Sequence, residues 1–504
     1  MIKRVLILSA SVGSGHIAAA AALEEVFRTQ HGVKVQNEDA LKLTSRIYQV
    51  TASDVYFALV KENPWFISWW YDQTDEPFKN ETGALQLWNL LNAQPLAKFV
   101  LDYDPHITVC THFMPAGVVA QLLSQGKLRT TLSIVTTDYD FQGMWLSRVF
   151  NRYFVAIDET KVHLTELGVA AERITVSGIP VSPVFGKPVD RTKVLARYGL
   201  RDDRPVILVS AGVLGGGPAR DIVAQILRMR TPVQTVVICG RNQLLRQQVA
   251  TQISGAEDRF RILGFTSEMA DLMRISSLFI GKPGGLSASE CMAAGLPMVV
   301  IDPIPGQEER NSDHLLEAGA AVRCRSLMTI AYKIDQIFED PGRLERMRAC
   351  ARRLGRPGAA DVVVRHLLED TSEPLQISKK ELRRIIALAS GDAEPPPPEP
   401  SAGEPGVALY HDDTGVYIGA ITPVQLQFLI DQLEGEKSFI DRSMIWLTQQ
   451  GSDNELSRVL TQVVTIDTSM IGWLTQQGAD SGLIRVLAQS VADRGQSEIR
   501  WVRL

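Results

Sequence analysis

At 504 residues, with 45% hydrophobic and 22% charged side chains, the chain is too long for one core and has the composition of a soluble protein of roughly two to four domains. Its net charge of -5 offers no basic surface for nucleic acid, and no charge run marks a binding tail. The five cysteines, Cys110, Cys239, Cys291, Cys324 and Cys350, contain no CxxC pair, which fits buried thiols in a reducing compartment rather than a disulfide frame.

The first apolar run, Arg4 to Ser9, is too short for a signal segment, and no stretch approaches the roughly 18 to 20 apolar residues of a spanning helix. The expectation is a cytoplasmic protein that can still lie on a membrane surface. Val5 to Ser9 reads as a strand, followed by a helix from about Ile17 to Thr29. Further strands are expected at Ile107 to Thr111, Leu132 to Thr136, Tyr153 to Ala156 and Ile174 to Ser177, with a helix from about Pro115 to Ser124. Continuous apolar strands separated by helices predict a parallel sheet covered on both faces.

A second alternation starts near Pro205. Val206 to Ser210, Thr235 to Cys239, Phe260 to Leu263, Leu278 to Ile280 and Met298 to Ile301 read as strands, with helices at Ala219 to Arg228 and Leu244 to Ile253. The expected organisation is an α/β protein of two Rossmann-like domains, 1–180 and 181–371, joined near Gly178 to Val189. Residues 372–406 read as a linker, acidic and Pro-rich from Gly391 onward. Beyond it, 407–504 repeats Trp446-Leu-Thr-Gln-Gln-Gly451 as Trp473-Leu-Thr-Gln-Gln-Gly478, and Leu456, Val459 and Leu460 as Leu483, Val486 and Leu487. Two copies predict a small, mainly helical accessory module whose partner the sequence does not name.

Four places carry chemistry. The loop Ser9-Ala-Ser-Val-Gly-Ser-Gly-His16 leaves the first strand for a helix, so Gly15 permits close approach and His16 stands either as a turn cap or as a general base. The turn Ser210-Ala-Gly-Val-Leu-Gly-Gly-Gly-Pro218 offers the backbone N–H groups of Gly212, Gly215 and Gly216 to a diphosphate.

The stretch Gly281 to Asn311 reads turn, helix, strand and polar loop. Gly284, Gly285 and Ser287 open a helix with spare donors, Glu290 suits ribose hydroxyls, and Gln307 and Glu308 suit hexose hydroxyls, with Asn311 beside them. Finally, Trp65, Phe66, Trp69, Trp70 and Tyr71 form a dense aromatic run, suited to a membrane interface or to a core or lid. Acid slightly exceeds base over residues 1–180, so membrane binding there rests on apolar contact.

These motifs place a resemblance. Ser11-Val-Gly-Ser-Gly-His16, Thr136-Thr-Asp-Tyr-Asp-Phe-Gln-Gly-Met-Trp145, Gly178-Ile-Pro-Val-Ser-Pro-Val-Phe185, Lys282-Pro-Gly-Gly285 and Pro303-Ile-Pro-Gly-Gln-Glu308 together resemble the monogalactosyldiacylglycerol synthase and processive diacylglycerol glucosyltransferase family, over about residues 1–370. These are GT-B glycosyltransferases of family 28, related to the bacterial enzyme that makes lipid II. The resemblance implies two facing Rossmann-like domains with a cleft, and transfer of a hexose from a UDP-sugar to diacylglycerol by an enzyme peripheral on the inner face of the cell membrane. It implies UDP-sugar and membrane lipid as partners, no cofactor beyond the donor and no metal site. It also implies a C-terminal donor domain, an N-terminal acceptor domain, and His16 or Asp138 as base, with Trp145 on the acceptor side.

One departure matters: the family usually carries histidine where this chain has Gln142, and glutamine cannot take a proton. Rival readings are a GT-B transferase with another lipid or soluble acceptor, and an inactive UDP-sugar sensor. A 2-epimerase, which shares the architecture, ranks last.

Overall fold

The computed structural model describes residues 2–45, 75, 93–210 and 218–375, and in the C-terminal part 407–411, 417–421, 464–467, 471–472, 474–475, 479, 481–491 and 496–503. The chain divides into two compact units, Met1–Ile377 and Ser378–Leu504.

The first unit holds two six-stranded parallel sheets. One consists of β1 (Lys3–Ser9), β2 (Val33–Asp39), β3 (Ile107–Cys110), β4 (Thr131–Val135), β5 (Arg152–Val155) and β6 (Ile174–Val176), in the order β2-β1-β3-β4-β5-β6. The other consists of β7 (Val206–Ser210), β8 (Gln234–Ile238), β9 (Phe260–Leu263), β10 (Leu278–Gly281), β11 (Met298–Ile301) and β12 (Ala321–Cys324), in the order β12-β11-β10-β7-β8-β9.

The central strands are apolar throughout because helices cover both faces: Val5 to Leu8 and Val206 to Val209 are fully buried. The two strands the sequence reading passed over, β2 and β12, each lie at a sheet edge. Val33-Lys-Val-Gln-Asn-Glu-Asp39 is only half-buried and mostly polar, so it carries no apolar run to mark it. Among the described residues no helix is long and apolar enough to cross a membrane.

The chain crosses between the sheets twice. The first crossing follows Gly178 and the second passes Arg356. They touch: a Cβ on Gly178, whose φ is +83°, would stand 2.5 Å from the Cβ of Arg356. Glycine is needed there for both conformation and space. The helix Ala359–Glu369, expected within the second domain, therefore packs on the first sheet. Val363, Val364 and Leu367 join a core with Val5, Ile7, Phe27, Val109 and Phe154.

In the second unit the expected mainly helical module is corrected. Strands β13 (Val407–His411), β14 (Tyr417–Ile421), β15 (Val464–Asp467) and β16 (Gln496–Arg503) form an antiparallel sheet in the order β14-β13-β16-β15. Gln496-Ser-Glu-Ile-Arg-Trp-Val-Arg503 has the strand period of two and the β-branched and aromatic residues that favour pleated backbone. The repeat drew attention to helical spacing and away from these flanking runs. Its second copy does supply a helix, Ser481–Val491, with Leu483, Leu487 and Val491 buried.

Candidate functional site

Three helices begin at the carboxyl ends of the strands with no capping side chain: Ser14–Arg28, Gly285–Ala293 and Gln307–Glu317. Their starts converge. A Cβ on Gly15 would lie 3.4 Å from Leu286, and one on Gly284 would lie 3.4 Å from Glu308 Oε1. Uncapped first turns present free N–H groups and the positive ends of helix dipoles, a setting for a diphosphate.

Gly285 is where the two sheet domains meet most tightly. A Cβ there would sit 1.9 Å from the Thr137 carbonyl oxygen and 3.1 Å from Asp138 Oδ1, so only glycine lets the second-domain helix abut the loop after β4. The residues expected to form a polar loop after β11 are instead the first turn of the helix Gln307–Glu317, another correction. Gln-Glu-Glu-Arg are good helix formers, and Gly306, at φ +82°, makes the sharp entry.

In the first sheet domain His16 stands in the first turn of its helix. The Thr111 carbonyl, 2.9 Å from Nδ1, can only accept, so Nδ1 carries the proton; the Thr137 hydroxyl lies 2.9 Å from the same nitrogen. Thr111 Oγ1 in turn donates to the His16 carbonyl at 2.9 Å. Nε2 is thereby left with a bare lone pair and has no hydrogen-bond partner among the described residues. Burial lowers the imidazole pKa to about 4, so the ring is neutral at pH 7.

His112 packs edge-on against His16, with ring centroids 4.6 Å apart, and its Nδ1 accepts from the Met114 N–H at 3.1 Å. Trp145, expected at the acceptor or membrane, is buried, its ring 6.2 Å from that of His16. It packs beside His16 and is not a surface ring. Gln142 is buried too: it accepts from the Met144 N–H at 2.8 Å and so caps the turn that carries Trp145.

Asp138, the other base candidate, is buried with both oxygens engaged. Asn311 Nδ2 donates to Oδ1 at 3.0 Å and Gln307 Nε2 to Oδ2 at 2.5 Å. Burial raises its pKa to about 6 against those two hydrogen bonds. Asn311, expected at the donor, is fully buried, and its Oδ1 accepts the Tyr139 N–H at 2.9 Å. Both ends of its amide are spent between the domains, so it is a strut and not a donor contact. The Tyr139 hydroxyl adds a bond to Ser289 Oγ at 3.1 Å.

In the second sheet domain Glu290 is half-buried and has no hydrogen-bond partner among the described residues; burial raises its pKa to about 7. Glu308 Oε2 accepts the Ile304 N–H at 2.7 Å, and burial raises its pKa against the field of Lys282. Lys282 Nζ lies 3.1 Å from Asp302 Oδ2. Ser287 is half-buried in the first turn of its helix.

Several site residues escaped the sequence reading. Thr111 and His112 follow β3, and their place at the carboxyl end of a central strand was the available signal. Asp39, at the end of β2, accepts the Ser11 N–H at 3.1 Å and so anchors the loop leading to His16. Phe265, 72% exposed just past β9, has the Arg241 guanidinium 5.6 Å from its ring centroid, a ready stacking platform at the strand ends. Gly212, Gly215 and Gly216, and Trp65, Phe66, Trp69 and Trp70, lie outside the described residues.

The Monogalactosyldiacylglycerol (MGDG) synthase family model matches residues 16–181, and the Glycosyl transferases group 1 model matches residues 219–354. A processive diacylglycerol beta-glucosyltransferase of Bacillus pumilus is 26% identical over 370 residues, covering 73% of this chain and 95% of that protein. Its namesake from Bacillus thuringiensis is 28% identical over 392 residues, covering 75% and 98%. Among solved structures, Acinetobacter baumannii MurG matches with a TM-score of 0.50 at 18% identity, over 73% of this chain and all of that one. The S. aureus MnaA–UDP co-structure matches with a TM-score of 0.50 at 13% identity, over 75% and 100%. These likenesses show the fold: two facing Rossmann-like domains of the GT-B type.

Proposed function

We propose that this chain, a member of the monogalactosyldiacylglycerol synthase and processive diacylglycerol glucosyltransferase family, transfers a hexose from a UDP-sugar to the hydroxyl of diacylglycerol at a membrane surface. The observation that carries the reading is the seat of His16: its Nδ1 lies 2.9 Å from the Thr111 carbonyl, which leaves Nε2 free to take a proton, beside three uncapped helix starts. A base and an anion cradle together suit attack of a hydroxyl with departure of a diphosphate.

In this reading His16 Nε2 takes the acceptor proton as the hydroxyl oxygen bonds to the hexose C1. The bond from C1 to the UDP oxygen breaks, and its electron pair leaves on the diphosphate, held by the starts of Ser14–Arg28 and Gly285–Ala293. The anionic diphosphate offsets the charge that the low pKa of His16 otherwise disfavours. Glu290 accepts from ribose hydroxyls, and Gln307 and Glu308 read the hexose. The glycines 212, 215 and 216 contribute further N–H groups to the diphosphate. Phe265 and Arg241 stack on the uracil ring. Asp138 serves as the docking carboxylate that orders Gln307, since both its oxygens are already paired. The acceptor lies along Gly15, Trp145 and the aromatic run Trp65 to Tyr71, on a protein that binds the inner membrane face without crossing it.

The test is incubation with diacylglycerol vesicles and either UDP-glucose or UDP-galactose. The expected product is a glycolipid, and the donor that yields it assigns the hexose. Protein that binds UDP yet makes no glycolipid with either donor would sink the lipid assignment. His16→Ala should lower turnover by about 10²- to 10⁴-fold with UDP affinity retained; unchanged turnover removes His16 from catalysis. Sedimentation with vesicles checks the membrane reading, and failure to sediment ends it.

A further inference from the structure

The helix Gln307–Glu317 turns one face to the acceptor domain. Gln307, Arg310 and Asn311 stand at positions i, i+3 and i+4, which share a face. Gln307 and Asn311 both reach Asp138. Arg310 does something else: Nη1 donates to Asp140 Oδ2 at 2.8 Å, and Nη2 donates to Asp75 Oδ2 at 2.7 Å. The three side chains are only 24% to 36% exposed. Asp75 also accepts the Gly143 N–H at 3.0 Å, and Gly143 opens the turn that carries Trp145.

The geometry points to Arg310 as an interdomain clasp: a positioning residue that holds the hexose-reading first turn of its helix against the acceptor loop 138–145. Two carboxylates from the acceptor domain face each other across its guanidinium, and Asp138 lies close enough to Asp140 to feel its charge. Removal of the cation turns a bridge into a repulsion between like charges on a half-buried surface. Lysine cannot replace the fork, because one ammonium lacks the two parallel edges that address two acids at once. Glu308, one position along the helix, is turned to the Ile304 N–H. The helix thus clasps the acceptor domain on one face and serves the donor on another, and Gln307 belongs to both. The consequence for hexose transfer rests on the function proposed above; the clasp itself does not.

Arg310→Met, compared with Arg310→Lys and Asp140→Asn, tests it by two independent readouts. Hydrogen exchange at the Tyr139 and Gly143 amides, which donate to Asn311 and Asp75, should accelerate at least about tenfold in Arg310→Met and less in Arg310→Lys. Transfer from UDP-glucose to diacylglycerol should lose about tenfold in kcat/KM, while UDP binding by calorimetry stays within about twofold, as expected of a clasp that touches no nucleotide. Unchanged exchange at both amides overturns the clasp, as does a loss of UDP affinity equal to the loss of kcat/KM. Should Arg310→Met fail to fold, Asp140→Asn alone must accelerate exchange at Tyr139, and no change there overturns the clasp. If no variant, nor the parent, makes glycolipid, the exchange data still decide on the clasp, so the two readings fail separately.

Discussion

Glu290 sets how donor affinity should respond to pH. Its carboxyl, pushed up to about 7 by burial and left without a partner among the described residues, holds its proton in the empty site at pH 6. Ribose hydroxyls donate to the ionised form, so donor binding selects the carboxylate and releases a proton. The sign follows: affinity strengthens as pH rises. The ionised fraction climbs from about one tenth at pH 6 to about nine tenths at pH 8, so the dissociation constant of UDP-glucose should fall about tenfold, near 1.4 kcal/mol. UDP-glucose is the suitable probe because its diphosphate, esterified at both ends, does not titrate in this window.

Calorimetry in two buffers of different ionisation enthalpy counts the released protons directly. Asp138, raised to about 6, titrates nearby, and Glu290→Gln separates the two by removing the Glu290 part. A dissociation constant flat from pH 6 to 8, or a slope undiminished in Glu290→Gln, would refute the assignment of Glu290 to ribose. The same raised pKa has the opposite sign for the empty protein. Between 4.5, its ordinary value, and about 7 the unfolded chain binds fewer protons than the native one, so this group makes stability fall as pH rises. Above that window its effect is constant. Melting curves without and with UDP-glucose should therefore diverge as pH climbs.

Phe265→Ala should weaken UDP binding about tenfold by removing a stacking face, with the melting temperature unchanged because the ring is exposed; equal affinity takes Phe265 out of the site. Gly285→Ala should lower kcat/KM about a hundredfold, since its Cβ must push the helix start away from the Thr137 carbonyl, and UDP should still bind the second domain. A fully active Gly285→Ala enzyme would mean that the two domains do not meet this way during turnover. Val364→Ala should cost about 2 kcal/mol in urea unfolding, because the helix Ala359–Glu369 closes the core of the first sheet; no loss would place that helix elsewhere.

Most of the two-sheet fold was legible because its central strands are buried on both faces and read as unbroken apolar runs. The unread strands are β2 and β12, sheet edges where all seven residues of β2 and the two central residues of β12 are partly or fully exposed. The return of Ala359–Glu369 to the first sheet was not legible either. Its apolar face is plain in the sequence, but which sheet it covers depends on where the chain crosses, and only the contact of Gly178 with Arg356 reveals that. In the C-terminal unit the repeat outweighed the period-two runs on either side of it, and the sheet went unread.

Within the site, residue types were legible and allegiances were not. Gln307 and Asn311 were read as donor contacts because amides bind sugars, yet both donate to Asp138 across the domain boundary. A pattern read along the chain cannot show that residues 138 and 311 share a hydrogen bond. Gln142 makes the same point in reverse. Its departure from the histidine that the resemblance leads one to expect gave the inactive-sensor reading its support. With its side-chain oxygen spent on the Met144 N–H, it shapes the turn beneath Trp145. In the proposed reaction proton transfer falls to His16, whose Nδ1 is held by Thr111, a residue 95 positions away that no local motif connects to it. The proposed base is thus placed by the approach of two strand ends in space, and a glutamine at 142 does not disturb it.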